Sequence, residues 1–247
     1  MFHPYEIEEL IDDGVISSRF PNFNNPMDFY EVVKIDLTNI KECILTVEST
    51  FKQKADDPTY YYNIKDNENQ TKKVLYPDKM LEVWHCYNTY PQFIRYSFIT
   101  GICSLFEERF MNLCYRYGYR FENGNLISID EFKRRRENKS INGIFLARKY
   151  CADILGIKIV NDMWDELTYY NQIRNCIVHS RGYTLKTPYK NNSWKKERLE
   201  IAIRGIDGID TKDDLIKIND TACLHFIQVT EEFIKSLCKQ IPIDNTN

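Results

Sequence analysis

The stretch from Ile94 to Gly118 limits the possible fold more than any other part of the chain. Ile94, Phe98, Ile102, Leu105, Phe106, Phe110, Leu113, Cys114 and Tyr117 recur at three- and four-residue spacing, and Gly118 stops the series. That spacing lays the apolar side chains along one stripe of a long helix, and such a stripe has to be buried against other helices. The same periodicity recurs elsewhere. Val32, Ile35, Leu37, Ile40, Ile44, Leu45, Val47 and Phe51 predict a helix from Asp28 to about Lys54. Further helices are predicted from Ile141 to Leu155, stopped by Gly156, and from Asp162 to Ser180, with Gly182 just past its end as a C-cap signal. A last helix runs from a cap at Asp220 to Gln240, and a short one is expected over residues 4–13. A helix starting at Pro77-Asp78 is interrupted at Pro91, where the ring removes a donor and clashes with the preceding turn. Residues 128–137 form a short basic segment. The run Leu199-Glu200-Ile201-Ala202-Ile203 alternates and reads as a strand, with Leu215 to Ile218 returning after a turn over 205–213. The expected class is mainly α, a helical bundle with a small β-hairpin decoration near residues 199–218.

Residues 56–77 break the helical pattern with Asp56-Asp57-Pro58, three tyrosines and a polar run from Asp66 to Gln70. They read as a long loop or a small hairpin, and they mark the best internal boundary. The expected organisation is an N-terminal helical extension, 1–77, and a bundle domain, 78–247. Hydrophobic residues make up 43% of the chain, enough for a sizeable core and too many for a disordered one. A net charge of -3 excludes a uniformly basic nucleic-acid coat, so any polyanion must meet a local basic patch. The eight cysteines have no zinc-site spacing and there is no H-E-x-x-H, so no metal or cofactor is expected. Cys103, Cys114, Cys151 and Cys176 sit in apolar helical runs, where a reduced thiol behaves as a small hydrophobe. Met1 to Glu6 has no basic n-region and no apolar h-region, and no run approaches the ~20 apolar residues that span a bilayer. A cytoplasmic protein without a membrane partner is expected.

The candidate chemistry lies in Arg174-Asn175-Cys176-Ile177-Val178-His179. An arginine, a polar neighbour and a histidine five positions on have the groups needed to bind and cleave an RNA phosphodiester without a metal. On a helical wheel Leu167, Tyr170, Arg174, Ile177 and Val178 fall within about 60° of Met163, which puts Arg174 near the centre of an apolar stripe. A guanidinium there cannot lose its charge and needs a carboxylate from a neighbouring helix or an anionic ligand. Asn175 and His179, four apart, share a face offset by roughly 120–160°. Arg174 and His179 therefore converge only if side chains reach around, if the helix end unwinds, or if a second copy of the helix faces the first across a two-fold axis. His179 is close to the helix C-terminus, where the macrodipole favours imidazolium and hence an acid role. The structural alternative is an arginine paired to a glutamate inside a bundle, with His179 a surface or capping residue.

Arg174-Asn175-x-x-x-His179, late in a helix of an all-α bundle, resembles the R-x4-6-H signature of the HEPN superfamily, in which a polar residue directly follows the arginine. The preceding helix is also similar, with Glu107 and Glu108 where an acidic residue often faces the motif. The resemblance covers about residues 78–240 and leaves the first 77 unexplained. It implies a metal-independent endoribonuclease acting in a toxin–antitoxin or antiviral system, with a composite site built from two motifs across a homodimer. By the resemblance, His179 moves a proton as a ribose 2′-OH attacks the adjacent phosphate. Arg174 stabilises the phosphorane-like transition state, Asn175 orients His179 or the phosphate, and Glu107 or Glu108 partners Arg174. An antitoxin or defence-complex partner is implied as well. The competing expectation is a HEPN-like module that binds RNA, a nucleotide or a protein without cutting.

Two basic runs, Lys133-Arg134-Arg135-Arg136 and Trp194-Lys195-Lys196-Glu197-Arg198, offer phosphate contacts, with Trp194 able to stack on a base. Both also read as solvated charged faces, since acidic residues adjoin them. Arg181, two residues past His179, is a further phosphate ligand in this reading. His85 and His225 read as packed or hydrogen-bonded structural residues.

Overall fold

Asn25 opens the first helix of the computed structural model, which describes residues 25–66, 68–118, 127–135, 141, 143–186 and 191–242. The short helix expected over 4–13 lies outside the described residues. Helix α1, Pro26–Ala55, starts with the Asn25 side chain accepting from the Met27 N–H at 2.9 Å and with proline at its first position. Lys52 and Lys54 in its last turn suit the helix dipole. It buries Phe29, Tyr30, Val33, Leu37 and Ile44.

Two antiparallel strands follow, β1, Tyr61–Lys65, and β2, Thr71–Leu75, paired from Tyr61↔Leu75 to Lys65↔Thr71. The segment left open as loop or hairpin is thus a hairpin, packed on the end of α1 through Ala55, Val83, Cys86, Tyr60 and Leu75. Helix α2, Met80–Trp84, leads through a π-helical turn, His85–Thr89, into α3, Tyr90–Tyr117. The wide turn absorbs Pro91: the Tyr90 N–H bonds five residues back to His85, so the helix is widened there rather than broken. Helices α4, Ile129–Arg135, α5, Gly143–Asp153, and α6, Asn161–Ser180, complete the middle of the chain.

The expected strand at 199–203 is a helix. Helix α7, Ser193–Gly205, is capped by Asn192, whose side chain accepts from the Lys195 N–H at 3.0 Å. Leu199, Ala202 and Ile203 face inward at helical spacing, while Ile201 is left 45% exposed. A strand would have put 199, 201 and 203 on one face. The hairpin lies further on, as β3, Ile209–Lys212, and β4, Leu215–Ile218. Its two-residue turn, Asp213-Asp214, has φ of 53° and 60°, the backbone of a type I′ turn. Asn219, one residue before the expected cap, accepts from the Ala222 N–H at 2.9 Å and starts α8, Asp220–Cys238.

The molecule is mainly α with two small hairpins. Residues of α1, α3, α5, α6, α7 and α8 share a single core, centred on Phe106, Phe110, Trp164 and Phe233 with ring centroids 5.3 to 6.4 Å apart. Helix α1 is part of that core, packed against α8 and α3. Arg95 ties three elements together, with Nε and Nη2 each 2.6 Å from the Glu48 carboxylate and Nη1 donating to the Ile218 carbonyl at 3.0 Å. Among the described residues no helix is long and apolar enough to cross a membrane.

Candidate active site

Burial along α6 decides where the motif points. Its buried residues are Trp164, Leu167, Tyr170, Ile173, Cys176 and Ser180. The first five are spaced by three, so each lies about 60° behind the one before it. The buried row therefore winds around the helix, first toward the aromatic core and then toward α7 and the loop beyond α6. Extending the stripe from Met163 placed Arg174 at its centre, and the structure corrects this. By Ile173 and Cys176 the row has moved on, leaving Arg174 and Asn175 half-buried and Val178 and His179 exposed. Arg174 and His179 stand roughly 140° apart, with Val178 and Asn175 between them on the open half of the helix.

Arg174 Nη1 donates to the Asn175 side-chain oxygen at 3.0 Å. Asn175 thus holds the arginine, where orientation of His179 or the phosphate was expected. Neither expected glutamate closes an ion pair with Arg174. The Glu107 carboxylate lies against Gly143, at the first turn of α5, where free N–H groups favour an anion. Glu108 is exposed and reaches Arg109 at 3.9 Å, and Arg109 is bound more closely to Asp36 at 2.8 Å. Arg174 makes no ion pair among the described residues, in contrast to Arg95 with Glu48 and Arg109 with Asp36. Cys103, on α3, is within electrostatic reach of both Arg174 and Glu107. Burial pushes its thiol up to about 12, while the Arg174 guanidinium pulls it down and the Glu107 carboxylate pushes it up.

The end of α6 is fixed with unusual firmness. Arg181 takes the left-handed conformation at φ 56°, Gly182 follows at φ 81°, and the Gly182 N–H returns to the Cys176 carbonyl at 3.1 Å. The Gly182 carbonyl accepts from Ile216 at 2.9 Å, and Thr184 N–H bonds Asp214 at 2.8 Å, stitching the chain beyond the motif to the β3–β4 hairpin. The Tyr96 hydroxyl rests against Gly182 and donates to the Ile216 carbonyl at 2.6 Å. Burial raises that phenol to about 12, so it stays a donor. Tyr96 and Cys103 were not found as site residues from sequence, because both merge with the apolar spacing of α3.

The other sequence candidates scatter. Lys133, Arg134 and Arg135 lie on α4, which packs on α5, and Arg135 Nε is engaged by Glu131 at 3.0 Å. Arg136 lies outside the described residues. Trp194, Lys195 and Lys196 occupy the first turn of α7, and Lys196 pairs with Glu200 at 3.8 Å. A cleft of about 350 Å³ opens on one flank of α7, between Leu185, Leu199, Ile203 and the hairpin residues Asp210 and Asp214; Arg174 and His179 do not line it. His225 Nε2 lies 2.7 Å from Glu166, bridging α8 and α6, and His85 Nδ1 is 2.9 Å from Thr89. No family model, curated protein or solved structure matches the chain.

Proposed function

We propose that this chain is a metal-independent endoribonuclease of the HEPN type, working as a homodimer in a toxin–antitoxin or antiviral defence setting. The observation that carries the reading is the state of Arg174, a half-buried guanidinium held by a neighbouring amide and without a carboxylate partner among the described residues. A permanent charge in that position is incomplete until an anion arrives, and a phosphodiester accepts its planar fork of donors. His179 completes the chemistry. The ribose 2′-OH loses its proton to water as its oxygen bonds the adjacent phosphorus, the P–O5′ bond breaks, the 5′-oxygen leaves with a proton from His179, and the products are a 2′,3′-cyclic phosphate and a free 5′-hydroxyl. His179, in the last turn of α6, is the side chain that gives that proton in this reading. Arg174 neutralises the charge that builds on the phosphorane-like transition state.

The 140° between Arg174 and His179 makes one helix an incomplete site. A second α6 lying antiparallel over the open half brings the arginine of each copy toward the histidine of the other. Val178, 46% exposed between them, is the apolar contact for that pairing. An antitoxin or defence-complex partner would cover the same face.

The test is cleavage of a mixed RNA pool in EDTA by the purified protein. Arg174→Ala and His179→Ala are expected to lower the rate by at least about a hundredfold with the circular dichroism spectrum unchanged. A 2′-deoxy substitution at the cut site is expected to block cleavage there. An intact RNA pool, or normal cutting by His179→Ala, sinks the catalytic assignment. One observation favours a second reading, a non-catalytic RNA-binding or protein-interaction module: His179 has no side-chain hydrogen bond to orient it among the described residues. Wild-type protein that binds RNA and leaves it whole would establish that alternative.

A further inference from the structure

From Arg181 to Arg204 the described residues carry six lysine or arginine side chains against two glutamates, in a chain whose net charge is -3. The charge is local, and it starts where α6 ends. The first turn of α7 contains no acidic residue, so its free N–H groups add the positive end of a helix dipole to Lys195 and Lys196. Two aromatic rings lie within this field, each with a cation against it. Arg198 Cζ is 4.6 Å from the Trp194 centroid, and Lys186 Nζ is 3.8 Å from that of Tyr183. Trp194 is 59% exposed, which leaves ring surface open to a ligand even with Arg198 against it.

Position links this strip to the motif. The ring of Tyr169 lies against Gly205. Ser180 is eleven residues after Tyr169, and Trp194 is eleven residues before Gly205. At 1.5 Å per residue the two antiparallel stretches match at roughly 17 Å, which brings Trp194 level with the end of the motif helix. Lys196 and Arg204 are engaged by Glu200 at 3.8 and 3.5 Å and face the cleft beside the hairpin. Lys195 and Arg198 make no ion pair among the described residues, and they flank Trp194.

We infer that this strip binds single-stranded nucleic acid, with an unpaired base stacked on Trp194 and neighbouring phosphates held by Arg181, Lys195 and Arg198. A ring on a convex helix surface can stack only on a base free of its partner, so a duplex is excluded by shape. The strip rests on the ribonuclease reading for the identity of the polymer as RNA, and it deepens that reading by naming the substrate as single-stranded. Its test is binding, which does not require cutting.

The experiment measures anisotropy of a fluorescein-labelled oligouridylate of about twelve nucleotides, within the usual footprint of such surfaces, with the full chain carrying His179→Ala in EDTA. Binding is expected to weaken steeply as salt rises from about 50 to 200 mM. Trp194→Ala is expected to weaken it by about tenfold and Trp194→Phe by less than about threefold, since stacking survives in the second. Arg198→Glu is expected to weaken binding and flatten its salt dependence. A duplex of equal length is expected to bind at least about tenfold more weakly. Equal affinity for the duplex, equal competition by polyglutamate, full affinity in Trp194→Ala, or no binding at low salt overturns the proposal. Trp194 is a surface residue, so loss of fold does not obscure the result. Binding by a protein that never cuts RNA would defeat the ribonuclease reading and leave this one standing, and cutting that ignores Trp194 would do the reverse.

Discussion

Gly182 carries two constraints that no other residue type meets together. Its φ of 81° lies in the region that costs a side-chain-bearing residue about 1–2 kcal/mol, and the space where a Cβ would go is filled by the Tyr96 ring. Gly156 has a similar φ of 65° with open space around it. Gly156→Ala is therefore expected to cost about 1 kcal/mol and Gly182→Ala at least about 2 kcal/mol, read from urea midpoints at constant m-value. Equal losses would mean that Tyr96 moves aside freely. At this scale the sequence was legible at the helix stop, where Gly182 was read as a C-cap, and illegible at Arg174. A wheel drawn from Met163 assumes one straight stripe. The buried row of α6 does not keep to one, because α3, α7 and α8 contact it from different sides.

Helix α7 shows how a short apolar run is decided by its neighbours. Leu-Glu-Ile-Ala-Ile fits a strand period and a helix period about equally well, and only the surface it meets separates them. In the structure Leu199 is buried and Ile201 is 45% exposed. Leu199→Ala is thus expected to destabilise by about 2–5 kcal/mol, while Ile201→Ala stays within about 1 kcal/mol. A strand would lose comparably at both positions, so thermal melts of the two variants separate the alternatives. The long helices were legible because their stripes run for many turns, as from Ile99 to Tyr117 on α3. The β3–β4 hairpin was legible in its second strand alone, since its turn is Asp213-Asp214 and the glycines nearby, at 205 and 208, lie before the first strand.

Across the whole molecule the cysteines report on the core. Cys43 is exposed and the other seven thiols are buried. One fast-reacting thiol is expected with an aromatic disulfide reagent on the native protein, and eight after unfolding. A second fast thiol would place a gap in the core. Burial pushes Cys103, Cys176, Cys223 and Cys238 up to about 12, well above the ordinary value near 8.5. Raised folded values mean that this contribution to stability is complete below the unfolded pKa. It is lost as pH climbs from about 9 toward 12, because the unfolded chain releases protons that the folded one keeps, at up to about 1.4 kcal/mol per pH unit for each thiol. Urea titrations at pH 8, 9 and 10 are expected to show that decline, and a flat profile would contradict the burial of these groups.

The winding row on α6 also has a mechanical meaning. From Trp164 to Cys176 the buried contacts advance along the axis as they turn around it, by about two-thirds of a revolution. This is the geometry of a screw thread: the helix cannot slide lengthwise unless it rotates as well, and rotation is blocked by neighbours seated on successive flanks. A piston stroke or a one-turn ratchet of α6 would therefore break buried contacts on several flanks at once. A cover laid over the open half reaches Arg174 and His179 without turning the thread at all.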